Sequence, residues 1–309
     1  MEKIILFGAG NIGKSVYEFM KQRGQSNIIE CFCDNNTDLW NEQIDDCVIR
    51  SYEECKDKGI KFVITSTLYA GEIETLLQND HKDYFININE WAAAQEIDMV
   101  AWNRDYCAWY HISSMDNYFD KAETDLWMNV FWNVDSVFYK MFCQLDLDNV
   151  IELGVGRGRH VRMYEANANH IVLVDILQKN IDFCKERFKE NRKIDYYCNN
   201  GYNLSELKDN EYSSLFTYDA MVHFEMMDIF EYLKDIHRVL RNGGKALIHH
   251  SNNTSSYKNS FFSAVDGRSY MSKDLFAYLA YRAGFEIVEQ RVIDWGIKDL
   301  DCVSLIKKI

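Results

Sequence analysis

The chain has 309 residues, 47% apolar and 27% charged, an ordinary globular composition long enough for two hydrophobic cores. No apolar run reaches the ~18 residues of a membrane span, and the start MEKIILFGAG lacks the pattern of a signal peptide. A formal net charge of −14 repels a phosphate backbone on average, which argues against a nucleic-acid partner. The basic cluster Arg157, Arg159, His160 and Arg162 falls inside a glycine motif that has another explanation. Nine cysteines in apolar contexts, without zinc-site spacing, read as reduced thiols of a cytoplasmic protein.

Residues 1–95 alternate short apolar strands (Ile4–Phe7, Ile28–Cys33, Phe62–Thr65, Tyr84–Ile88) with amphipathic helices such as Ile12–Gln22. This alternation predicts a parallel sheet covered by helices. Gly8, Gly10 and Gly13 complete a G-x-G-x-x-G between the first strand and its helix, and Asp34 follows Gly13 by 21 residues at the end of the next strand. At face value this is a dinucleotide fingerprint.

Residues 96–147 are rich in aromatics, with Phe131, Val134, Phe138 and Met141 at helical spacing. They predict helices that either cover a site on the following domain or form an aromatic core between domains.

Residues 148–309 begin a second alternation. An apolar strand, Val150–Gly154, runs into Glu152-Leu-Gly154-Val-Gly156-Arg-Gly158 and then a helix. Such glycines permit a tight turn and close approach of a ligand to the backbone. Asp175 ends the next strand, HIVLVD, 17 residues beyond Gly158, where a carboxylate can accept both hydroxyls of a ribose. Asn199-Asn200-Gly201 follows the third strand and Tyr218-Asp219 ends the fourth. Gly243 and Gly244 are expected to end a helix marked by Ile229, Leu233, Ile236 and Leu240. Ala246–His250 is the fifth strand, and two strands near Glu286–Ile293 and Cys302–Ile306 close the chain. These residues gather at strand C-terminal ends, the ligand crevice of an open α/β sheet.

The segments ELGVGRGRH, LVD, NNG, TYDAMVHFE, HRVLRNGGKALIHHSN and DWG…DC resemble those of class I S-adenosylmethionine (SAM)-dependent methyltransferases over residues 125–309. The resemblance implies a seven-stranded sheet with a final antiparallel hairpin, so that the whole chain is α/β with two Rossmann-like domains joined by the aromatic-rich helical segment. It also implies that Glu152, Gly154, Gly156 and Gly158 surround the amino-acid part of the donor SAM, that Asp175 holds its ribose, and that Asn200 with Gly201 meets the adenine. A hydroxyl acceptor must lose its proton, and histidine is well matched to take it. His223 is the first candidate base and His250 the second, with Asp219 orienting the base or touching the donor. Arg268 and Tyr270 either contact an anionic acceptor or belong to a surface loop, Glu225 caps a helix, Asp294, Asp299 and Asp301 read as solvated, and no metal site is expected.

The N-terminal segments LFGAGNIGKSV and CFCDNN resemble the small Rossmann-like domain at the front of bacterial sugar acetyltransferases. By that resemblance Gly8, Gly10, Asp34 and Asn35 bind the nucleotide of an activated sugar. The combined expectation is a methyltransferase that O-methylates a sugar or nucleotide-activated small molecule for surface polysaccharide synthesis. A nicotinamide-dependent oxidoreductase or epimerase using Gly8–Gly13, or a non-catalytic nucleotide-binding module, are the alternatives. A homo-oligomer is compatible with either.

Overall fold

The computed structural model describes residues 2–113, 118–257 and 265–309. The chain divides into two compact units, Met1–Trp102 and Asn103–Ile309.

In the first unit the elements are β1 (Ile4–Phe7), α1 (Asn11–Gln22), β2 (Ile29–Cys33), β3 (Gln43–Ile44), β4 (Cys47–Arg50), α2 (Tyr52–Cys55), β5 (Lys61–Ile64), α3 (Ala70–Asn79), β6 (Tyr84–Phe85) and α4 (Ile88–Ala94), with α5 (Met99–Ser113) beginning at its end. The sheet order is β3-β4-β2-β1-β5-β6, parallel except for the short β3–β4 hairpin. Its central strand, IILF, is wholly buried, as expected of a parallel strand covered on both faces. Trp102 belongs to this unit: its ring is fully buried and sits 5.0 Å from Phe19 and 6.0 Å from Trp91.

The second unit contains α6 (Tyr118–Ala122), α7 (Asp125–Trp132), α8 (Val137–Phe142), β7 (Asn149–Leu153), α9 (Val161–Tyr164), β8 (His170–Asp175), α10 (Gln178–Arg187), β9 (Ile194–Cys198), β10 (Tyr212–Thr217), α11 (Met226–Val239), β11 (Leu240–Ser251), α12 (Lys273–Arg282), β12 (Phe285–Trp295) and β13 (Ile297–Lys308). The seven strands run in the order β12-β13-β11-β10-β7-β8-β9. β7 to β11 are parallel, whereas β13 is antiparallel to both β11 and β12. Alternation along the strands feeds two cores. Ile151, Leu153, Val172 and Val174 face α11 and α12, while Val150, Ile171 and Leu173 face the aromatics Phe131, Phe138 and Phe142. Thus the aromatic stretch expected between domains supplies Trp102 to one core and Phe131, Phe138 and Phe142 to the other.

One local expectation is corrected. Gly243 and Gly244 do not end the helix, which stops at Val239; they lie inside β11, next to an irregularity in its pairing with β10. A Cβ on Gly244 would stand 3.0 Å from the Ser213 carbonyl oxygen, so the glycine is needed for two strands to close on each other.

From β9 the chain crosses to β10 on the other side of β7, making a topological switch point between β7 and β10. A crevice opens at the C-terminal ends of such a pair.

Candidate functional site

The turn after β7 builds one wall of that crevice. Gly154, Gly156 and Gly158 have φ of 75°, 56° and 78°, a region L side chains rarely enter. A Cβ on Gly154 would meet Ala220 Cβ at 2.5 Å, and one on Gly156 would meet the Phe119 ring at 3.0 Å. The helix after the turn is short and starts only at Val161, so its N-terminus is not the main source of donors. Glu152 lies beneath the turn rather than in the cavity: Tyr164 donates its hydroxyl to Glu152 Oε2 at 2.7 Å, and burial pushes the carboxyl up to about 8.

Asp175, at the end of β8, is buried and lines the cavity. Its Oδ2 accepts the Gly156 N–H at 2.8 Å; its Oδ1 accepts the Leu177 N–H at 2.9 Å and the Asn180 amide at 3.2 Å. Burial raises its pKa against these bonds. A carboxylate has about four lone-pair positions, so these three bonds leave about one for a hydroxyl. The bond to Gly156 also ties the carboxylate to the glycine turn, fixing the two walls relative to each other.

Beyond β9 the structure places Asn199, not Asn200, in the cavity wall. Asn199 is buried and donates to the Tyr232 hydroxyl at 2.7 Å, whereas Asn200 is exposed and accepts the N–H groups of Tyr202 and Asn203 in a local turn. Gly201 lines the cavity with φ 86°. Its missing Cβ makes room for Ile176 and for the stem of Arg104, each less than 3 Å from where that atom would be.

Asp219 follows β10 in a left-handed conformation, φ 56°. Its Oδ2 accepts from the Tyr118 hydroxyl at 2.7 Å and from Arg159 at 3.1 Å. Burial works against its charge, but Arg159 beside it prevails and the carboxyl falls to about 2. His223 lines the same cavity and donates from Nδ1 to the Gly267 carbonyl at 3.0 Å. That tautomer makes Nε2 the basic nitrogen. His250 does not reach the cavity. It is fully buried, its nitrogens contact the Ser251 carbonyl and the Ser304 hydroxyl, its ring stacks on Phe276 at 4.0 Å, and burial lowers its pKa to about 3. Arg268 and Asp301 are not surface groups: they form a buried two-pronged pair at 3.0 and 2.7 Å.

Arg104 and helix α6 had no clear sequence signal, and Glu225, expected as a helix cap, stands at the N-cap of α11 without a side-chain capping bond. Arg104 forks onto Asp228 with two 2.9 Å bonds and lies 4.5 Å above the Tyr202 ring. Glu225 lines the cavity, and burial, helped by Asp228, raises it to about 7. Helix α6 covers the glycine turn, with Phe119 under Arg157 at 4.6 Å and Glu123 forked by Arg187 at 2.6 and 2.9 Å. Among the described residues no group of three or more His, Cys, Asp and Glu could hold a metal, and no helix is long and apolar enough to cross a membrane.

In the first unit, Asp34 Oδ2 accepts the Ala9 N–H at 2.8 Å and its Oδ1 accepts the Asn36 N–H at 2.8 Å. A Cβ on Gly13 would fall 2.0 Å from the Gly8 carbonyl oxygen, so that glycine serves close strand–helix packing. Gly10 has open space where its Cβ would be, and Asn35 is exposed.

Residues 151–248 match the family model described as a methyltransferase domain, and residues 1–84 match one described as C2185-like, N-terminal. Within the second unit, residues 151–248 thus match a methyltransferase domain, and the seven-stranded sheet fits the class I SAM-dependent arrangement. No curated protein matches the chain. Among solved structures, the chain is similar to one from the complex between the Haloferax volcanii Trm112 methyltransferase activator and a methyltransferase (13% identity, 63% of this chain, 99% of that one, TM-score 0.47). It is also similar to a SAM-dependent methyltransferase from Mesorhizobium loti (12%, 55% and 97%, 0.46) and to the cyclase SpnF (15%, 55% and 78%, 0.46).

Proposed function

We propose that the chain is a SAM-dependent methyltransferase that O-methylates a small polar acceptor, a sugar or nucleotide-activated sugar used in surface polysaccharide. The observation that carries the donor reading is the buried Asp175 carboxylate, tied to the Gly156 N–H across a cavity whose glycine walls a Cβ would fill. Five carboxyls (Glu123, Asp175, Asp219, Glu225 and Asp228) against three guanidinium groups (Arg104, Arg157 and Arg159) leave the lining acidic, which favours a sulfonium cation there. When bound, the donor supplies a methyl group on positively charged sulfur, and transfer is an in-line displacement that demands alignment and exclusion of water.

The chain's own residues fit these demands. Asp175 offers its remaining acceptor position to a ribose hydroxyl, and Asn199, held by Tyr232 and the Asn203 carbonyl, walls the place of the adenine. Tyr118 and Phe119 close the glycine turn from outside. His223 Nε2 takes the acceptor's hydroxyl proton. The sugar assignment draws on the first unit, where the open space at Gly10, the N-cap of α1, leaves room for a nucleotide phosphate.

Titration calorimetry with SAM and with NADH tests the reading. SAM binding in the micromolar range is expected, with Asp175→Ala weakening it by about 30-fold or more, ~2 kcal/mol. NADH binding without SAM binding would overturn it in favour of an oxidoreductase. Transfer of labelled methyl into a nucleotide-sugar pool tests the acceptor class, and transfer to amines instead would move the acceptor away from hydroxyls.

A further inference from the structure

Behind Asp219 lies a polar cluster that donor binding and proton removal do not use. His249 and Asp301 are fully buried on adjacent strands β11 and β13, and Arg268 is nearly so. His249 Nε2 lies 3.1 Å from Asp301 Oδ2. On the other side of the ring, the backbone N–H of Asp219 donates to His249 Nδ1 at 3.1 Å. The ring stacks on Tyr218 at 4.5 Å, with Trp295 5.7 Å away.

This geometry fixes the tautomer. An N–H pointing at Nδ1 requires a lone pair there, so the ring's proton sits on Nε2, where Asp301 accepts it. Charge balance agrees. Asp219 is paired with Arg159 and Asp301 with Arg268, and Arg268 also lies 3.9 Å from Asp219. Two guanidinium groups match two carboxylates, so a neutral imidazole completes the cluster without excess charge. A doubly protonated ring would set N–H against N–H at Asp219.

The contact falls at a residue in the left-handed region. Asp219 has a positive φ without being glycine, so the surroundings must hold it there. Its side chain faces the cavity, and the same turn runs on through the short Met221–His223 helix to the candidate base. We propose that His249, oriented by Asp301 and Arg268, is a positioning residue that holds the left-handed turn at Asp219 and thereby presents Asp219 and His223 to the cavity, and that it does so as a neutral ring protonated on Nε2. Its consequence for ligand binding rests on the donor reading, whereas its geometry does not.

Two arms test it. In histidine-15N-labelled protein at pH 7, nitrogen chemical shifts should show His249 neutral with its proton on Nε2. A charged ring, or a proton on Nδ1, would overturn the proposal. In calorimetry with S-adenosylhomocysteine, His249→Phe keeps the ring stack but has no acceptor, and should weaken binding at least tenfold while still melting cooperatively. His249→Asn places an amide oxygen where Nδ1 was and should bind within about threefold of the natural protein. Equal binding by the Phe variant, or equal loss in both variants, would overturn the proposal. If the Phe variant fails to fold, the Asn variant and the tautomer spectrum still decide. Absence of S-adenosylhomocysteine binding to the natural protein sinks the donor reading alone. The positioning claim is then judged by the tautomer and by the Asp219 amide resonance, which should shift in the Phe variant and not in the Asn variant.

Discussion

Gly154 shows how little room the proposed donor wall leaves. Its φ is 75°, and an added methyl would press on Ala220 at 2.5 Å, the residue that follows Asp219. Gly154→Ala must bear the left-handed cost, about 1 kcal/mol or somewhat more, and also push the β10 turn away. Donor affinity should fall about tenfold or more in calorimetry, and the melting temperature should drop by several degrees; unchanged affinity would mean the wall is not where donor binds. His223 makes the opposite kind of prediction. Its Nδ1 bond to Gly267 anchors the ring through a neighbouring loop, so His223→Ala should leave donor affinity near its original value. Turnover should fall by about 10²–10⁴ if His223 carries the acceptor's proton, and full turnover in steady-state assay would remove it as base. At this scale the sequence was informative where geometry is local. Glycines and the Asp175 strand end could be placed by spacing, because the turn and the strand fix them. Which of Asn199 and Asn200 lines the cavity could not, because adjacent residues at a strand end face opposite ways.

Helix α6 shows how a short element can matter through its contacts rather than its own stability. Its five residues cannot form an independent helix. It is held by Tyr118 on Asp219, by Phe119 beneath Arg157, and by the Glu123–Arg187 fork just past its end. Each tie ends on an element that lines the candidate donor cavity. The Glu123–Arg187 pair is partly exposed, so solvent screening limits it to roughly 0.5–1 kcal/mol. Glu123→Gln should therefore speed release of S-adenosylhomocysteine about two- to fivefold in stopped-flow tryptophan fluorescence, with raised salt producing a similar change in the natural protein. An unchanged release rate in both cases would show that α6 does not retain the ligand. The legibility of the elements followed burial. Strands that are apolar on both faces, such as IILF and HIVLVD, are visible as runs, and their alternation with helices gives the parallel sheet. The β3–β4 hairpin has a two-residue strand and no such run, and the Gly243-Gly244 pair mimics a helix stop while sitting inside β11. Nor does any local pattern show that Arg268, Asp301 and His249 meet, because they join through sheet pairing between distant segments.

For the whole molecule, the acidic balance and the buried carboxyls act in the same direction as pH rises. Glu225 is raised from 4.5 to about 7, by burial and then by Asp228, with a bond from Asn103 opposing. Glu152 is raised from 4.5 to about 8 by burial, against the Tyr164 bond. In both cases the folded chain holds a proton that the unfolded chain gives up, so the folded state binds more protons across this interval. Their contribution to stability is fully present below about 4.5 and is lost as pH climbs through about 7 and then about 8. Asp219 does the reverse. Its carboxyl sits at about 2 when folded, so its contribution is present above the ordinary Asp range and lost only as pH falls through about 2. The windows do not overlap, and a formal net charge of −14 at pH 7 adds self-repulsion on the alkaline side. Melting temperature should therefore peak on the acid side of neutrality and decline from pH 5.5 to 8.5. Glu225→Gln isolates one carboxyl without touching the Glu152–Tyr164 bond. It should flatten that decline, with a gain of roughly 2 kcal/mol at pH 8 after allowance for partial exposure and little gain at pH 5. Calorimetric melting across that range checks it. A variant whose profile stays parallel to that of the natural protein would mean that Glu225 is already ionised when folded, with a cation in the cavity or water around it. A donor sulfonium beside Glu225 should favour ionisation in the same way, so SAM should stabilise the natural protein more at pH 8 than at pH 5.5, and Glu225→Gln should lose that difference.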